Sequence, residues 1–154
     1  KKIKYILKGG KSSIGLESTI IDLRNKPKIL RLGGLEISAI QRVLGKKVLI
    51  NNNPSKISSP GQLRIHYSPG IPIRLNIKRV RCDVAHLLIK KIKKNKPYYY
   101  YLSKKGDLKE AARNLYSTLR KIKKNGYKSI GVAKIPNIGL GKTINDRLIR
   151  ASKF

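Results

Sequence analysis

The sequence predicts an α/β fold: a small parallel sheet in the second half of the chain, reached through a proline-rich linker from a shorter α/β unit in front of it. Three observations carry the prediction. Short β-branched runs are punctuated by Gly, Pro and Asn, apolar stripes of helical period fall between them, and four prolines crowd between residues 51 and 72.

In chain order, Ile3-Lys4-Tyr5-Ile6-Leu7 precedes the turn Lys8-Gly9-Gly10-Lys11. Glu17 to Leu23 is a β-branched run bounded by Asn25-Lys26-Pro27, and Ile29-Leu30 is a second that ends at Arg31-Leu32-Gly33-Gly34. Ile37, Ile40, Val43 and Leu44 recur at helical spacing, with Ser38 near the cap position and Gly45 as the stop. Residues 1–50 thus give two or three strands and one helix, too few elements to close a core alone. Residues 51–72 hold Asn51-Asn52-Asn53-Pro54, Ser58-Ser59-Pro60-Gly61 and His66-Tyr67-Ser68-Pro69-Gly70-Ile71-Pro72. Proline fixes φ and lacks an amide proton, so this stretch is neither helix nor central strand and reads as a linker.

Residues 73–154 alternate. Ile73 to Ile77 reads as a strand, Asp83 to Lys93 as a helix carrying Val84, Leu87, Leu88 and Ile92, and Tyr98 to Leu102 as a second strand. Asp107 to Lys123 is the longest helix, with Leu108, Ala111, Ala112, Leu115, Leu119 and Ile122 on one stripe and Gly126 at its end. Ser129 to Ile135 gives a third strand and Ile144 to Ser152 a last helix. Three strands alternating with three helices predict a small Rossmann-like parallel α/β domain.

The 154 residues carry 37 Lys and Arg against 7 Asp and Glu, a net charge of +30. That balance suggests a polyanionic partner. It is also what drift toward lysine, isoleucine and asparagine codons leaves on tolerant surface positions. An apolar fraction of 40% is enough for a core. A lone Cys82 excludes an internal disulfide framework and points to a reducing compartment. No apolar run approaches the roughly 20 residues of a membrane span. The chain has no methionine and begins at Lys1, which leads us to expect a piece of a longer product.

Several motifs resolve into ordinary structure. Gly139-Leu140-Gly141-Lys142-Thr143 imitates a phosphate-binding loop, yet the pattern needs a glycine where Pro136 stands. It reads as a strand-to-helix loop in which Thr143 caps the last helix and Asp146 lies in its first turn. His86 reads as a histidine on the surface of a helix, partly packed, and His66 sits in the linker beside Tyr67. Seven acids, one cysteine and two histidines assemble no triad, carboxylate pair or zinc set. The block Tyr98 to Tyr101 alternates faces if it is a strand, so at most two rings share a stacking platform.

Four motifs in order carry a resemblance: Gly15-Leu16-Glu17-Ser18-Thr19-Ile20-Ile21-Asp22-Leu23, Ile29-Leu30-Arg31-Leu32-Gly33-Gly34, Ser59-Pro60-Gly61-Gln62-Leu63 with His66-Tyr67-Ser68-Pro69, and Gly139-Leu140-Gly141 with Ile144-Asn145-Asp146-Arg147-Leu148. Over nearly its whole length the chain resembles the C-terminal half of the long form of YrdC-type threonylcarbamoyl-AMP synthases. The resemblance implies the tail of a YrdC-like α/β domain over residues 1–50, a lid linker over 51–72 and a Rossmann-like accessory domain over 73–154. It implies cytoplasmic chemistry in which threonine, bicarbonate and ATP, with Mg²⁺, give threonylcarbamoyl-AMP and pyrophosphate, the product passing through a partner complex to tRNA. By motif, Ser18 is implied in threonine binding, Arg31 in ATP binding, and Tyr67 in reaching over the nucleotide; no residue is implied as a covalent or acid–base catalyst.

Departures accompany the match. Leu32 follows Arg31 where the family usually has proline, and Lys8 stands where an acid is common. The front of the catalytic domain falls outside these residues, so the chain alone is expected to be inactive, its N-terminal half encoded separately or lost. The competing expectation is a basic RNA- or partner-binding module retained after loss of catalysis.

Overall fold

The computed structural model describes residues 3–10, 12–51, 57, 59–61, 63 and 66–153, in two sheets and three helices. The first sheet has the order β1-β2-β3. Strand β1 (Ile20–Asp22) pairs antiparallel with β2 (Lys28–Arg31), and β2 runs parallel to β3 (Leu49–Ile50). Ile3 to Leu7 forms no strand; Leu49–Ile50 supplies the third. Helix α1 (Ile37–Leu44) starts at Glu36 rather than Ser38, whose hydroxyl donates to the Glu36 carboxylate at 3.3 Å. Gly45 ends it at φ 63°, a left-handed conformation that glycine adopts without a Cβ clash. Ile29, Leu32 and Val48 are buried here, with Ile37 and Ile40 against them. Val43 and Leu49 stay exposed, as so few elements dictate.

The second sheet comprises β4 (Ile73–Arg74), β5 (Ala85–Lys90), β6 (Tyr99–Ser103) and β7 (Ile130–Val132), in the order β4-β7-β5-β6 with every pair parallel. The helix expected over Asp83–Lys93 is instead β5. Its apolar residues fit a helical stripe, but they form the continuous run of a strand covered on both faces, a pattern that periodicity alone does not separate. The sheet therefore has four strands, two helices follow within this half, and residues 91–98 return the chain from β5 to β6 without a helix.

Helix α2 (Leu108–Lys124) follows its predicted stripe. Ala111, Ala112, Leu115, Leu119 and Ile122 are buried, and the Asp107 carboxylate caps the first turn by accepting from the Glu110 amide at 2.6 Å. Each large apolar side chain so buried contributes roughly 1.5–3 kcal/mol. Helix α3 (Leu140–Ala151) begins four residues earlier than expected. The glycine-rich segment is thus its first turn. Gly141 fits because a Cβ there would lie 2.0 Å from the Pro136 carbonyl oxygen. Thr143 is not a cap and Asp146 is not in the first turn; the Thr143 hydroxyl donates to the Gly33 carbonyl at 3.0 Å, tying α3 to the loop after β2.

The face of the sheet away from α2 is crossed by residues 75–84. Ile77 packs on Gly131 and donates its amide to the Val132 carbonyl at 3.0 Å. His86 is 3% exposed on β5, not on a helix surface, and its Nε2 lies within hydrogen-bond distance of the Arg81 backbone. No helix among the described residues is long and apolar enough to cross a membrane.

Candidate functional site

Close backbone packing sets Ser18 and Arg31 side by side. A Cβ on Gly33 would lie 2.2 Å from the Thr19 nitrogen, and the Gly34 amide donates to the Glu17 carbonyl at 2.9 Å, so the loop after β2 lies directly on residues 17–19. The Thr19 hydroxyl closes the same crossing by donating to the Leu35 carbonyl at 2.7 Å. Arg31 then donates through Nε to the Ser18 carbonyl at 3.1 Å and through Nη2 to the Ser18 hydroxyl at 3.0 Å. Its Nη1 reaches the Pro60 carbonyl at 3.4 Å. Two of the five guanidinium N–H groups keep no partner among the described residues.

The linker arrives on this pair. Gly61, at φ 83°, has its Cα against both the Arg31 side chain and the Tyr67 hydroxyl: a Cβ would lie 2.8 Å from Arg31 Cδ and 2.9 Å from Tyr67 Oη. Tyr67 itself holds φ 66°, rare for a bulky residue. Neighbours hold it there. Its ring stacks on Tyr116 of α2 at 5.7 Å and 19°, and the Arg147 guanidinium of α3 lies 4.7 Å from its centre. The ring of His66 meets it edge-on at 3.9 Å, and His66 Nδ1 is buried with no partner among the described residues.

Arg147, 1% exposed, is the hub. Its Nε donates to the Glu17 carboxylate at 3.1 Å, its Nη2 to the Leu32 carbonyl at 2.5 Å, and its Nη1 to Asp146. Glu17 and Leu32 are the chain neighbours of Ser18 and Arg31. Burial pushes the Glu17 carboxyl up, but its own backbone, Arg147 and the Tyr116 hydroxyl outweigh that and hold it below the usual glutamate range. Arg150, 5% exposed, pairs with Asp146 at 3.2 Å and donates to the Leu63 carbonyl at 2.8 Å, a second tie between α3 and the linker.

A cavity of about 420 Å³ opens between the linker and α2, lined by Glu17, His66, Tyr67, Ser68, Pro69, Tyr116, Leu119 and Arg120. Of the three site residues expected from sequence only Tyr67 lines this cavity; Ser18 and Arg31 stand next to it, joined to Tyr67 across Gly61. Glu17, Tyr116 and Arg147 were not expected beside them. For Glu17 and Arg147 the signal lay in the quoted motifs, Glu17 preceding Ser18 and Arg147 following Asp146; Tyr116 lies in no motif and is brought there by α2. His86 stands elsewhere in the fold. The glycine-rich turn of α3 faces the Glu36 carboxylate, 2.9 Å from where a Gly139 Cβ would be, so an anion already occupies that helix start. The described residues do not fit a protein-held Mg²⁺. They contain no group of three metal-ligating side chains, and Glu17 is engaged by Arg147 and Tyr116.

Residues 35–153 match the family model described as threonylcarbamoyl-AMP synthase, C-terminal domain. A threonylcarbamoyl-AMP synthase of Pyrococcus abyssi is 30% identical over 99% of this chain and 50% of its own length, and one of Bacillus subtilis 28% identical over 98% and 49%. The chain spans about half the length of these relatives. The crystal structure of P. abyssi Sua5 complexed with L-threonine superposes with a TM-score of 0.77 at 27% identity, covering 94% of this chain and 48% of that one. A variant of the same protein, with an adjacent histidine and tyrosine changed to alanine, gives 0.76 at 26% identity over 94% and 47%.

Proposed function

The chain belongs to the threonylcarbamoyl-AMP synthase family, through its C-terminal domain, and from that premise we infer that it supplies the linker-covered part of an L-threonylcarbamoyladenylate synthase site. The supporting observation is the contact of Ser18, Arg31 and the linker turn Pro60–Gly61 beside Tyr67. In this reading threonine nitrogen takes carbon from bicarbonate with loss of water. A carbamate oxygen then bonds to the α-phosphorus of ATP as the bond to the departing pyrophosphate breaks. Mg²⁺ enters with ATP rather than on this chain's carboxylates, and the product goes on toward tRNA in the cytoplasm.

The residues here position and stabilise. Arg31 is held by Ser18 so that its remaining N–H groups face phosphate oxygens, a fork that lysine does not reproduce. Ser18 offers a hydroxyl to the threonine carboxylate or amine. Tyr67 fixes the described part of the 51–72 linker around it, Pro60–Gly61 and His66–Pro69, as a lid over the nucleotide, excluding water from the reacting carbamate. The relative studied as a His-Tyr double variant fits this emphasis, since His66–Tyr67 is the one His-Tyr pair in the chain.

The test is pyrophosphate release from ATP in the presence of threonine and bicarbonate. The 154-residue chain alone should give the no-protein rate. A chimera with the remaining half of the P. abyssi synthase joined ahead of residue 1 should be active, and Arg31→Lys in it should raise KM for ATP. A chain as active alone as in the chimera, or an inactive chimera that folds, contradicts the reading.

A further inference from the structure

We propose that the crevice outside the carboxyl ends of β4 and β7 is a binding site for an adenine mononucleotide, separate from the linker-covered site and independent of the reading above. Strands β4 and β7 are neighbours and run parallel, so their carboxyl ends lie side by side. The chain leaves them in opposite directions. From β4 it crosses the face of the sheet away from α2, where Ile77 packs on Gly131; from β7 it turns into α3, whose Gly141 lies against Leu108 of α2. Neighbouring strands whose connections part to opposite faces leave an opening between them, and that opening is where open α/β sheets take their ligands.

Here it holds a cavity of about 270 Å³. Leu75, Ile135, Leu148 and Ile149 give it an apolar lining, on which Ile149 remains 46% exposed. Asn76, Lys134, Asn137 and Asn145 bring polar groups to the same walls. Asn145 organises them, donating through Nδ2 to the Ile135 carbonyl at 3.3 Å and to the Asn137 Oδ1 at 3.4 Å. The Asn145 Oδ1, the Asn137 Nδ2, the whole Asn76 carboxamide and the Lys134 ammonium keep no partner among the described residues. Asn76 stands at φ 54°, a left-handed conformation that glycine would adopt without strain, yet the position carries a carboxamide.

These groups select a ligand. A carboxamide presents a donor beside an acceptor, the complement of the adenine edge with its N6 amino group and N7; the guanine edge, with two acceptors, calls for Arg or Lys instead. One lysine and no acid in the lining suit one phosphate. The start of α3, where a phosphate would otherwise sit, already faces the Glu36 carboxylate, so the phosphate falls to Lys134. The volume admits a base, a ribose and one phosphate rather than a dinucleotide or a strand.

The full chain is titrated calorimetrically with AMP, IMP, adenosine and inorganic phosphate. AMP should bind about tenfold tighter than IMP, which carries an oxygen in place of the N6 amino group. Lys134→Gln should weaken AMP several-fold and leave adenosine unchanged. Asn76→Gly removes the carboxamide while relieving the backbone, so it should weaken AMP and adenosine alike with a melting temperature no lower than the parent's. Arg31→Lys should bind AMP as the parent does. Hydrogen exchange of the unmutated chain should show AMP slowing the amides of residues 75–77 and 133–135, a readout that needs no variant to fold. Equal affinity for AMP and IMP, parent-like AMP binding by Asn76→Gly and Lys134→Gln, loss of AMP binding in Arg31→Lys, or AMP protection confined to other segments would overturn the proposal.

Discussion

The guanidinium of Arg147 lies 4.7 Å from the centre of the Tyr67 ring, joining the last helix of the chain to its linker. The same side chain bonds Glu17 and the Leu32 carbonyl, so one buried cation holds the linker tyrosine and the two segments that carry Ser18 and Arg31.

Arg147→Gln leaves Glu17 and Asp146 without their shared partner and should destabilise the chain by about 3 kcal/mol, the usual cost of breaking a buried pair. Arg147→Lys keeps the charge but not three separately aimed N–H groups, and should lose nearly as much. Urea melts of the two variants beside the parent chain measure this.

Tyr67→Phe retains the stack on Tyr116 and the face toward Arg147, so its melt should match the parent within about 0.5 kcal/mol. Tyr67→Ala removes both and should lose about 1–2 kcal/mol. In the chimera the alanine variant should raise KM for ATP more than it lowers stability.

Gly61→Ala tests the lid separately from the fold. The added methyl meets Arg31 and Tyr67 at a positive φ, so the turn must lift from the guanidinium. The melting temperature should stay near that of the parent while KM for ATP in the chimera rises several-fold. Gly33→Ala should instead unfold the crossing, losing about 2 kcal/mol, because backbone rather than a mobile side chain blocks the methyl.

Acid stability follows from Glu17. Its folded pKa is depressed, so its stabilising contribution is complete above the unfolded glutamate value of about 4.3 and is lost as pH falls through the folded value. Urea midpoints should hold from pH 7 to about 5 and then decline. Glu17→Gln should start lower and decline less between pH 4.5 and 3.5. Asp22, which hydrogen bonds from Arg24 bring down to about 2, should add a loss at still lower pH in both proteins.

Local rules located the elements whose signals are local. Helix α2 was legible because its stripe and Asp107 cap are written within one segment, and Gly45 marked the end of α1. Strand β5 was misread because a strand buried by α2 on one side and residues 75–84 on the other has no polar face to reveal a period of two. The start of α3 was hidden by Gly139 and Gly141, which are there for contact with Glu36 and Pro136 rather than for a loop. Ser18, Arg31 and Tyr67 came from motif resemblance. Arg147 stands in the fourth motif but acquired no role from it, because charge counting over 37 basic residues does not say which is buried. Both cations buried among the described residues, Arg147 and Arg150, are arginines in a chain with many more lysines, consistent with a need for the planar fork.

Hydrogen exchange in the Arg147→Lys chain tests the central relationship most directly. If Arg147 holds linker and site loops together, the amides of His66, Tyr67, Ser68, Gly70 and Gly34 should exchange at least tenfold faster than in the parent, while those of residues 111–119 within α2 remain as protected as before. Parent-like exchange at these five amides, or an equal loss of protection throughout α2, would contradict that role.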